Sequence, residues 1–268
     1  CCGHSNENFS GDSVIHAKDS HHVFCVDNIE NVSYGSYLFK VKNSRDYDIY
    51  GDHAEWIYYC LANGGNVANQ MFCIYAWNGS HDNLYSHLLS GTHDCFGCSG
   101  LKNQKYCILN KQYTEDEYKV LKEKIIAHMK ETGEWGRFFP LEMSPWSYNQ
   151  TVANVYFPLS KEEALSRNYR WAEDVDVVSS VDPAVTHCAQ TGRPFLIQRK
   201  EAQFYEKQGL VSPVLHPEVR HRRRIEKIRS YTLWDRDCSG CQKKLRSSYA
   251  PGREEKILCE ECYQDIMN

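Results

Sequence analysis

The chain has 268 residues, of which 41% are hydrophobic and 25% charged, an ordinary globular composition with room for two or three domains. No run of residues approaches the roughly 18 consecutive apolar positions that span a bilayer, so we expect a soluble protein without membrane contact. The formal net charge is −4, but residues 185–268 carry 16 basic and 11 acidic side chains, whereas residues 1–110 carry 6 and 11. Only the C-terminal part of the sequence therefore suits a polyanionic partner. The sequence starts at Cys1 rather than at Met, and we expect the natural chain to begin further upstream.

The cysteine content indicates a reducing compartment. The 13 cysteines are odd in number, and many isolated cysteines accompany the two C-terminal CxxC pairs. A secreted disulfide framework is usually short and has an even number of cysteines. We therefore expect a cytoplasmic protein.

Aromatic residues recur at short, nearly regular intervals in the N-terminal part of the chain, at spacings of 10 to 13 residues. Asn, Asp and Gly fall between or just before them, which predicts short strands separated by turns. Two such units give about 23 residues, the size of one β-solenoid coil, so the sequence predicts a mainly β fold with a solenoid over residues 1–110. Neighbouring coils would bury the aromatic anchors, and cysteines would stack beside them as small apolar residues. The anchors are Phe24, Tyr34, Tyr47, Tyr59, Phe72, Tyr85, Phe96 and Tyr106, and the stacking cysteines include Cys25, Cys60, Cys73, Cys98 and Cys107.

A metal site is the alternative interpretation of one cysteine group in this region. Cys95 and Cys98 form a CxxC pair, with Cys107 following and His93 as a possible fourth ligand. Because Cys98 and Cys107 stand where neighbouring units have aromatic residues or other cysteines, core packing is the preferred interpretation.

The middle segment, residues 111–184, is predicted to be a helical cap or linker. Thr114 with Glu117 is a capping box that opens a helix ending near Glu131, and Ser160 with Glu163 opens a second, shorter helix. The apolar positions of the first helix share one face, which predicts packing against the solenoid.

The last segment, residues 233–268, has the pattern of a zinc ribbon. Cys238 and Cys241 form one CxxC pair, Cys259 and Cys262 form a second, and 17 residues lie between the two pairs. Two such pairs joined by a hairpin place four thiolates around one tetrahedral Zn²⁺. A fully cysteine-liganded ion has no open coordination position, so we expect a structural rather than a catalytic zinc.

Residues 185–232 carry a second ribbon-like pattern that lacks two ligands. The stretch from Cys188 through the motif E-A-Q-F-Y-E-K-Q-G-L to L-H-P-E-V-R resembles the family of probable zinc-ribbon domains. Matched to that family, Cys188 keeps the first ligand and His216 stands at the third, but Thr191 and Val219 replace the second and fourth. The resemblance implies a degenerate zinc ribbon, in which Cys188 and His216 are a possible residual metal pair. The succession of cysteine and aromatic repeats, capped helix and tandem ribbons resembles a bacterial family of uncharacterised activity, which implies architecture and no activity.

Three functions are compatible with these patterns. The first is a non-enzymatic zinc protein that contacts nucleic acid through a basic helix after the degenerate ribbon, because clustered positive charges release counterions from phosphates. The second is a scaffold for protein–protein assembly through the solenoid, with self-association through its open end. The third is a carbohydrate-active solenoid enzyme using Asp46, Asp48 and Asp52, although turn chemistry explains these carboxylates more simply. The basic residues of the first hypothesis are Arg220, Arg222, Arg223, Arg224, Lys227 and Arg229.

Overall fold

The computed structural model describes residues 3–173, 185–225, 227 and 231–267. The protein is mainly β, as predicted, and its contacts divide it into two compact units. The first unit contains residues 1–140 together with 231–268, and the second contains residues 141–230. The domain boundaries predicted from the sequence stay a prediction.

The first unit is built around a parallel β-solenoid. Its strands are β1 (Gly3–His4), β2 (Glu7–Leu61), β3 (Ala68–Met71), β4 (Ile74–Trp77), β5 (His81–Leu84), β6 (His87–Ser90), β7 (His93–Phe96) and β8 (Lys105–Ile108). Along one side, Ala68 pairs with His81 and His81 pairs with His93, each on the next coil. At its end β9 (Lys111–Gln112) turns back antiparallel to β8.

One coil takes 12 or 13 residues, so the predicted coil of about 23 residues is wrong. Ser20 accepts a hydrogen bond from the backbone of Val32, 12 residues later, and Ser44 accepts one from Ile57, 13 residues later. The coil is this short because the backbone turns at almost every third residue. Non-glycine residues at positive φ recur through β2 at this interval, for example Asp19, His22, Cys25, Asn28 and Asn31. Each left-handed residue ends a side of the coil only three residues long.

The residue that follows each turn points into the narrow interior. Small and β-branched side chains fill most of these positions, for example Val14, Ala17, Val23 and Val26, all within one core cluster. Five further core positions of the cluster are cysteines, namely Cys60, Cys73, Cys95, Cys98 and Cys107. Stacking of cysteines inside the solenoid is therefore confirmed, because a coil with three-residue sides has no room for large side chains at most inward positions.

The aromatic anchors do not all lie in the core. Tyr47 and Phe72 are fully buried, but Tyr34 and Tyr59 expose 58% and 41% of their surface. The prediction that neighbouring coils bury every anchor is wrong for these two residues, which occupy left-handed positions. Cys25 also sits at such a position and is only partly buried, so it does not belong to the cysteine stack.

Helix α1 (Glu115–Glu131) is confirmed, with both hydrogen bonds of the predicted capping box present between Thr114 and Glu117. The helix packs along a side wall of the solenoid. Its buried Tyr118 contacts Leu84, Phe96 and Ile108, which lie in register on successive coils. The helix thereby covers apolar side chains that point outward from the coils.

The second unit contains short helices and a ribbon-like fold. Helices α2 (Ala153–Tyr156) and α3 (Lys161–Ser166) come first, and α3 has the capping box predicted at Ser160. Strands β10 (Val185–His187) and β11 (Pro194–Leu196) form an antiparallel hairpin, followed by α4 (Arg199–Lys207) and α5 (Pro217–Ile225).

The C-terminal segment returns to the first unit. Strands β12 (Trp234–Asp237) and β13 (Lys244–Ser247) form a second antiparallel hairpin, and α6 (Glu260–Met267) is the last described element. The predicted succession of solenoid, helices and two ribbon-like hairpins is thus present.

Candidate metal centre and basic helix

The four cysteines of the C-terminal segment converge on one point. Cys238 and Cys241 lie in the turn of the β12–β13 hairpin, and Cys259 and Cys262 lie at the start of α6. All four Sγ atoms are within 4.8 Å of one another, and those of Cys241 and Cys259 are 3.6 Å apart. Four sulfurs around a tetrahedral zinc with Zn–S bonds of about 2.3 Å would be separated by about 3.8 Å. The group could therefore hold a metal ion, and it is the one such group within the described residues.

Backbone amides prepare one of these thiols to act as a ligand. The N–H groups of Cys259 and Gly240 donate to the Cys238 sulfur, with N–S distances of 3.2 and 3.4 Å. Hydrogen bonds from the backbone amides of Cys259, first, and of Cys241, second, lower the pKa of the Cys238 thiol to about 6. A Cβ on Gly240 would lie 2.9 Å from the Cys262 sulfur, so a glycine keeps the two cysteine pairs close.

The other thiols compete with each other for protons. Hydrogen bonds with Cys241, Cys259 and Cys238 raise the pKa of Cys262 well above its usual value. Thiols this close cannot all ionise unless a cation compensates their charge. Soft thiolates in a tetrahedral set favour zinc among the common metals. Such a site offers structure and leaves no position open for a substrate.

In the segment predicted to be a degenerate ribbon, hydrogen-bond donors surround one cysteine. Cys188 is 3% exposed. Burial raises the pKa of its thiol, but hydrogen bonds from the Thr191 side chain and from the backbone amides of His216, Gln190 and Thr191 outweigh burial and lower the pKa to about 7. The His216 imidazole accepts a hydrogen bond from the backbone N–H of Glu218 through Nδ1 at 3.2 Å. Loss of the metal from this ribbon, or a residual site at Cys188 and His216, stays a prediction.

The alternative metal site in the solenoid is not formed by the described side chains. Cys95, Cys98 and Cys107 are almost fully buried, and none of them belongs to a metal-binding group in the described part of the chain. Each thiol lies within hydrogen-bonding distance of a backbone carbonyl two residues before it. The Nδ1 atom of His93 lies 3.0 Å from a carboxylate oxygen of Asp94. The geometry thus favours core packing.

Helix α5 carries four of the six predicted basic residues, and these four differ in their exposure. Arg220 is partly buried and lies 3.6 Å from a carboxylate oxygen of Glu201 on α4. Arg222, Arg223 and Arg224 are exposed, as is Lys227 just beyond the helix. Arg229 lies outside the described residues. The predicted nucleic-acid-binding face that combines Arg220 with the later residues stays a prediction, and Arg220 is held in an ion pair with Glu201 of α4.

Acidic residues of the same unit are engaged by other groups. A carboxylate oxygen of Glu218 accepts a hydrogen bond from Arg193 at 2.6 Å. Glu201 accepts one from the Tyr205 hydroxyl at 2.7 Å, in addition to its pairing with Arg220. Of the three consecutive arginines, Arg223 donates to the neutral amide of Gln190 at 2.9 Å. Their positive charges thus face the solvent without a carboxylate within 4 Å among the described side chains.

The three aspartates of the carbohydrate-active hypothesis do not converge as a group of three. Asp48 accepts a hydrogen bond from Ser36 at 2.6 Å, and burial raises its pKa. Burial and the neighbouring charge of Asp48 also raise the pKa of Asp46. Asp52 pairs instead with Lys40 and His53, at 3.5 and 3.0 Å.

Sequence reasoning missed a contact between an early coil of the solenoid and the C-terminal segment. The Ser248 hydroxyl donates a hydrogen bond to the Asp12 carboxylate, although 236 residues separate them. No motif links a serine after a strand to an aspartate in a coil, so only the tertiary structure could reveal this pair.

Comparison with protein-family models gives no match, and no curated protein is significantly similar to the chain. Among the described residues, no helix has both the length and the apolar character needed to cross a bilayer.

Proposed function

We propose that this chain is a non-enzymatic zinc-binding protein that contacts nucleic acid through the exposed basic end of α5. The observation that carries the proposal is the run of Arg222, Arg223 and Arg224, all exposed, while Glu218 and Glu201 are occupied by other partners. Zinc at the four-cysteine group is the cofactor, with a structural role, and the reducing cytoplasm is the compartment in which its thiols stay available.

The contact is expected to be electrostatic and indifferent to sequence. Each arginine that neutralises a phosphate releases counterions, so binding weakens steeply as salt rises. Lys227 extends the charged surface by one further side chain. A solvated helix end, where arginines favourably meet the negative end of the helix dipole, is the alternative explanation of the same residues.

The test is the binding of a labelled duplex and a labelled single strand of the same sequence across a salt series. Changing Arg222, Arg223 and Arg224 together to Gln should reduce the slope of log affinity against log salt by about 3 for the duplex. The matched control removes three exposed lysines elsewhere, Lys102→Gln, Lys124→Gln and Lys130→Gln, and should leave the slope unchanged.

The Arg220→Gln variant distinguishes a binding surface formed by Arg222, Arg223 and Arg224 from a binding surface centred on Arg220. Because Arg220 is paired with Glu201, its loss should change the slope little. Equal effects of the arginine triple and the lysine triple would show that only net charge matters and would contradict a binding surface on α5.

A second function, a scaffold for protein assembly, is favoured by aromatic side chains on the solenoid surface. Tyr34 and Trp56 each expose 58% of their surface, and Tyr75 exposes 43%. Exposed aromatic residues are enriched in protein interfaces. Light scattering over a concentration series, with Tyr34→Ser and Trp56→Ser as the variant, tests self-association through this surface. Association that the variant abolishes supports the scaffold.

A further inference from the structure

A buried polar pair joins the C-terminal segment to an early coil of the solenoid. The Ser248 hydroxyl donates to one carboxylate oxygen of Asp12, and the other oxygen accepts from the backbone N–H of Ser13 at 2.9 Å. Ser248 is 5% exposed and Asp12 is 4% exposed. A buried carboxylate is unfavourable unless charge-assisted hydrogen bonds satisfy it, so the pair fixes the segment at one place on the coil.

Aromatic rings extend this contact. The ring of Tyr231, at the start of the described C-terminal segment, lies 5.1 Å from that of Phe24 and 6.1 Å from that of Tyr37. These centroid distances are typical of favourable aromatic pairs. We call the Ser248–Asp12 hydrogen bond and the contacts of Tyr231 with Phe24 and Tyr37 the docking contact.

The β12–β13 hairpin holds Ser248 in position. Ser247, the last residue of β13, pairs with Trp234 at the start of β12. The guanidinium of Arg236, in β12, donates to the backbone carbonyls of Tyr249 and Ala250, both at 2.7 Å. Ser248 can therefore reach Asp12 in this geometry only while the hairpin is formed.

The hairpin in turn depends on the four-cysteine group. Its turn carries Cys238 and Cys241, and the second cysteine pair is attached through hydrogen bonds from Ser239 to Ile257 and from Cys259 to the Cys238 sulfur, at 2.7 and 3.2 Å. A two-stranded hairpin is marginally stable by itself, whereas a bound metal contributes its binding free energy to folding.

We infer that zinc binding fastens the C-terminal segment onto the solenoid, and that loss of zinc releases the docking contact and uncovers the coil surface around Asp12, Phe24 and Tyr37. The inference rests on the zinc part of the proposed function and does not depend on nucleic-acid contact.

The coupling has to be reciprocal. If zinc favours the docked state, the docked state favours zinc by the same factor. Removing the hydrogen bond from either side should weaken zinc binding although neither residue is a ligand. Ser248→Ala and Asp12→Ala are each expected to lower zinc affinity about tenfold, within the usual range of coupling between sites.

The first experiment is hydrogen exchange on the full chain, with zinc and after chelation, following a measurement of zinc per chain. Chelation should raise exchange in residues 231–267 and also in residues 9–38, which contain the solenoid side of the docking contact. Residues 81–108, covered by α1, are the internal control and should not change. Chains that bind no zinc would overturn the zinc assignment and the inference together. Bound zinc with unchanged exchange in residues 9–38 would overturn the inference alone.

The second experiment measures zinc affinity by competition with a chromogenic chelator. The matched control is Ser239→Ala, which removes the hydroxyl of an exposed serine next to Cys238 and keeps the backbone hydrogen bond to Ile257. Weaker zinc binding in Ser248→Ala and Asp12→Ala, with no further loss in the double variant and no loss in Ser239→Ala, supports the coupling. Equal affinity in all variants, or additive losses in the double variant, refutes it.

Discussion

The hydroxyl of Tyr118 provides a sharp test of how α1 is held on the solenoid. Tyr118 is 1% exposed, and its hydroxyl has no hydrogen-bond partner in the described part of the chain. Burial raises the pKa of this phenol well above its usual value. Its ring belongs to one buried apolar cluster with Leu84, Phe96 and Ile108, and phenylalanine has the same ring.

Tyr118→Phe is therefore expected to stabilise the first unit. An unpaired buried hydroxyl costs about 1–3 kcal/mol, and the apolar contacts of the ring are kept. We expect a gain of about 1 kcal/mol, which in a unit of this size raises the melting temperature by about 2–4 °C. The Lys122 ammonium, 5.4 Å from the ring centroid, keeps its cation–π contact in the variant.

Urea unfolding followed by tryptophan fluorescence is the assay, because Trp135 packs in the same apolar cluster as Tyr118. Local exchange of α1 amides complements it, since two compact units need not unfold in one transition. The control is Tyr106→Phe, because the Tyr106 hydroxyl hydrogen-bonds with Glu115 and its removal should bring no gain. A Tyr118→Phe variant that is no more stable than the parent would refute the reasoning.

Three further predictions test other parts of the fold. Gly64→Ala should destabilise the solenoid by about 1–3 kcal/mol, because the new Cβ would lie 1.8 Å from the Tyr50 ring. A changed tryptophan emission would report displacement of Tyr50 from Trp77. An unchanged stability would contradict the packing. Thr114→Ala should cost about 1 kcal/mol through loss of the cap, measured as faster amide exchange in the first turn of α1, and equal exchange in both proteins would argue against the cap. Addition of a metal chelator should remove the protection of the β12–β13 amides while leaving the second unit intact. Persistent protection would mean that the hairpin needs no metal.

The sequence determined the parts of this protein that depend on short-range chemistry. The two CxxC pairs specify four converging thiols, since a turn of that length directs both sulfurs to one side. Thr114 with Glu117 specifies the start of α1, because the capping hydrogen bonds form within four residues. Small apolar residues that alternate with turn-forming residues specify a β fold with a narrow interior. The cysteines buried in the core of the solenoid confirm this prediction.

The tertiary structure decided the coil length and the long-range contacts. The spacing of aromatic residues indicates how often the repeat recurs, but it does not indicate how many backbone turns lie within each repeat. Several left-handed positions are occupied by aromatic residues such as Tyr34 and Tyr59, which have no preference for this conformation. The ion pair between Arg220 on α5 and Glu201 on α4 likewise depends on two helices meeting. The pairing of Ser248 with Asp12 requires two distant segments to meet, and their burial arises only when the hairpin closes over the coil. Local pattern specifies each element, whereas the burial of one element against another is settled by packing across the whole unit.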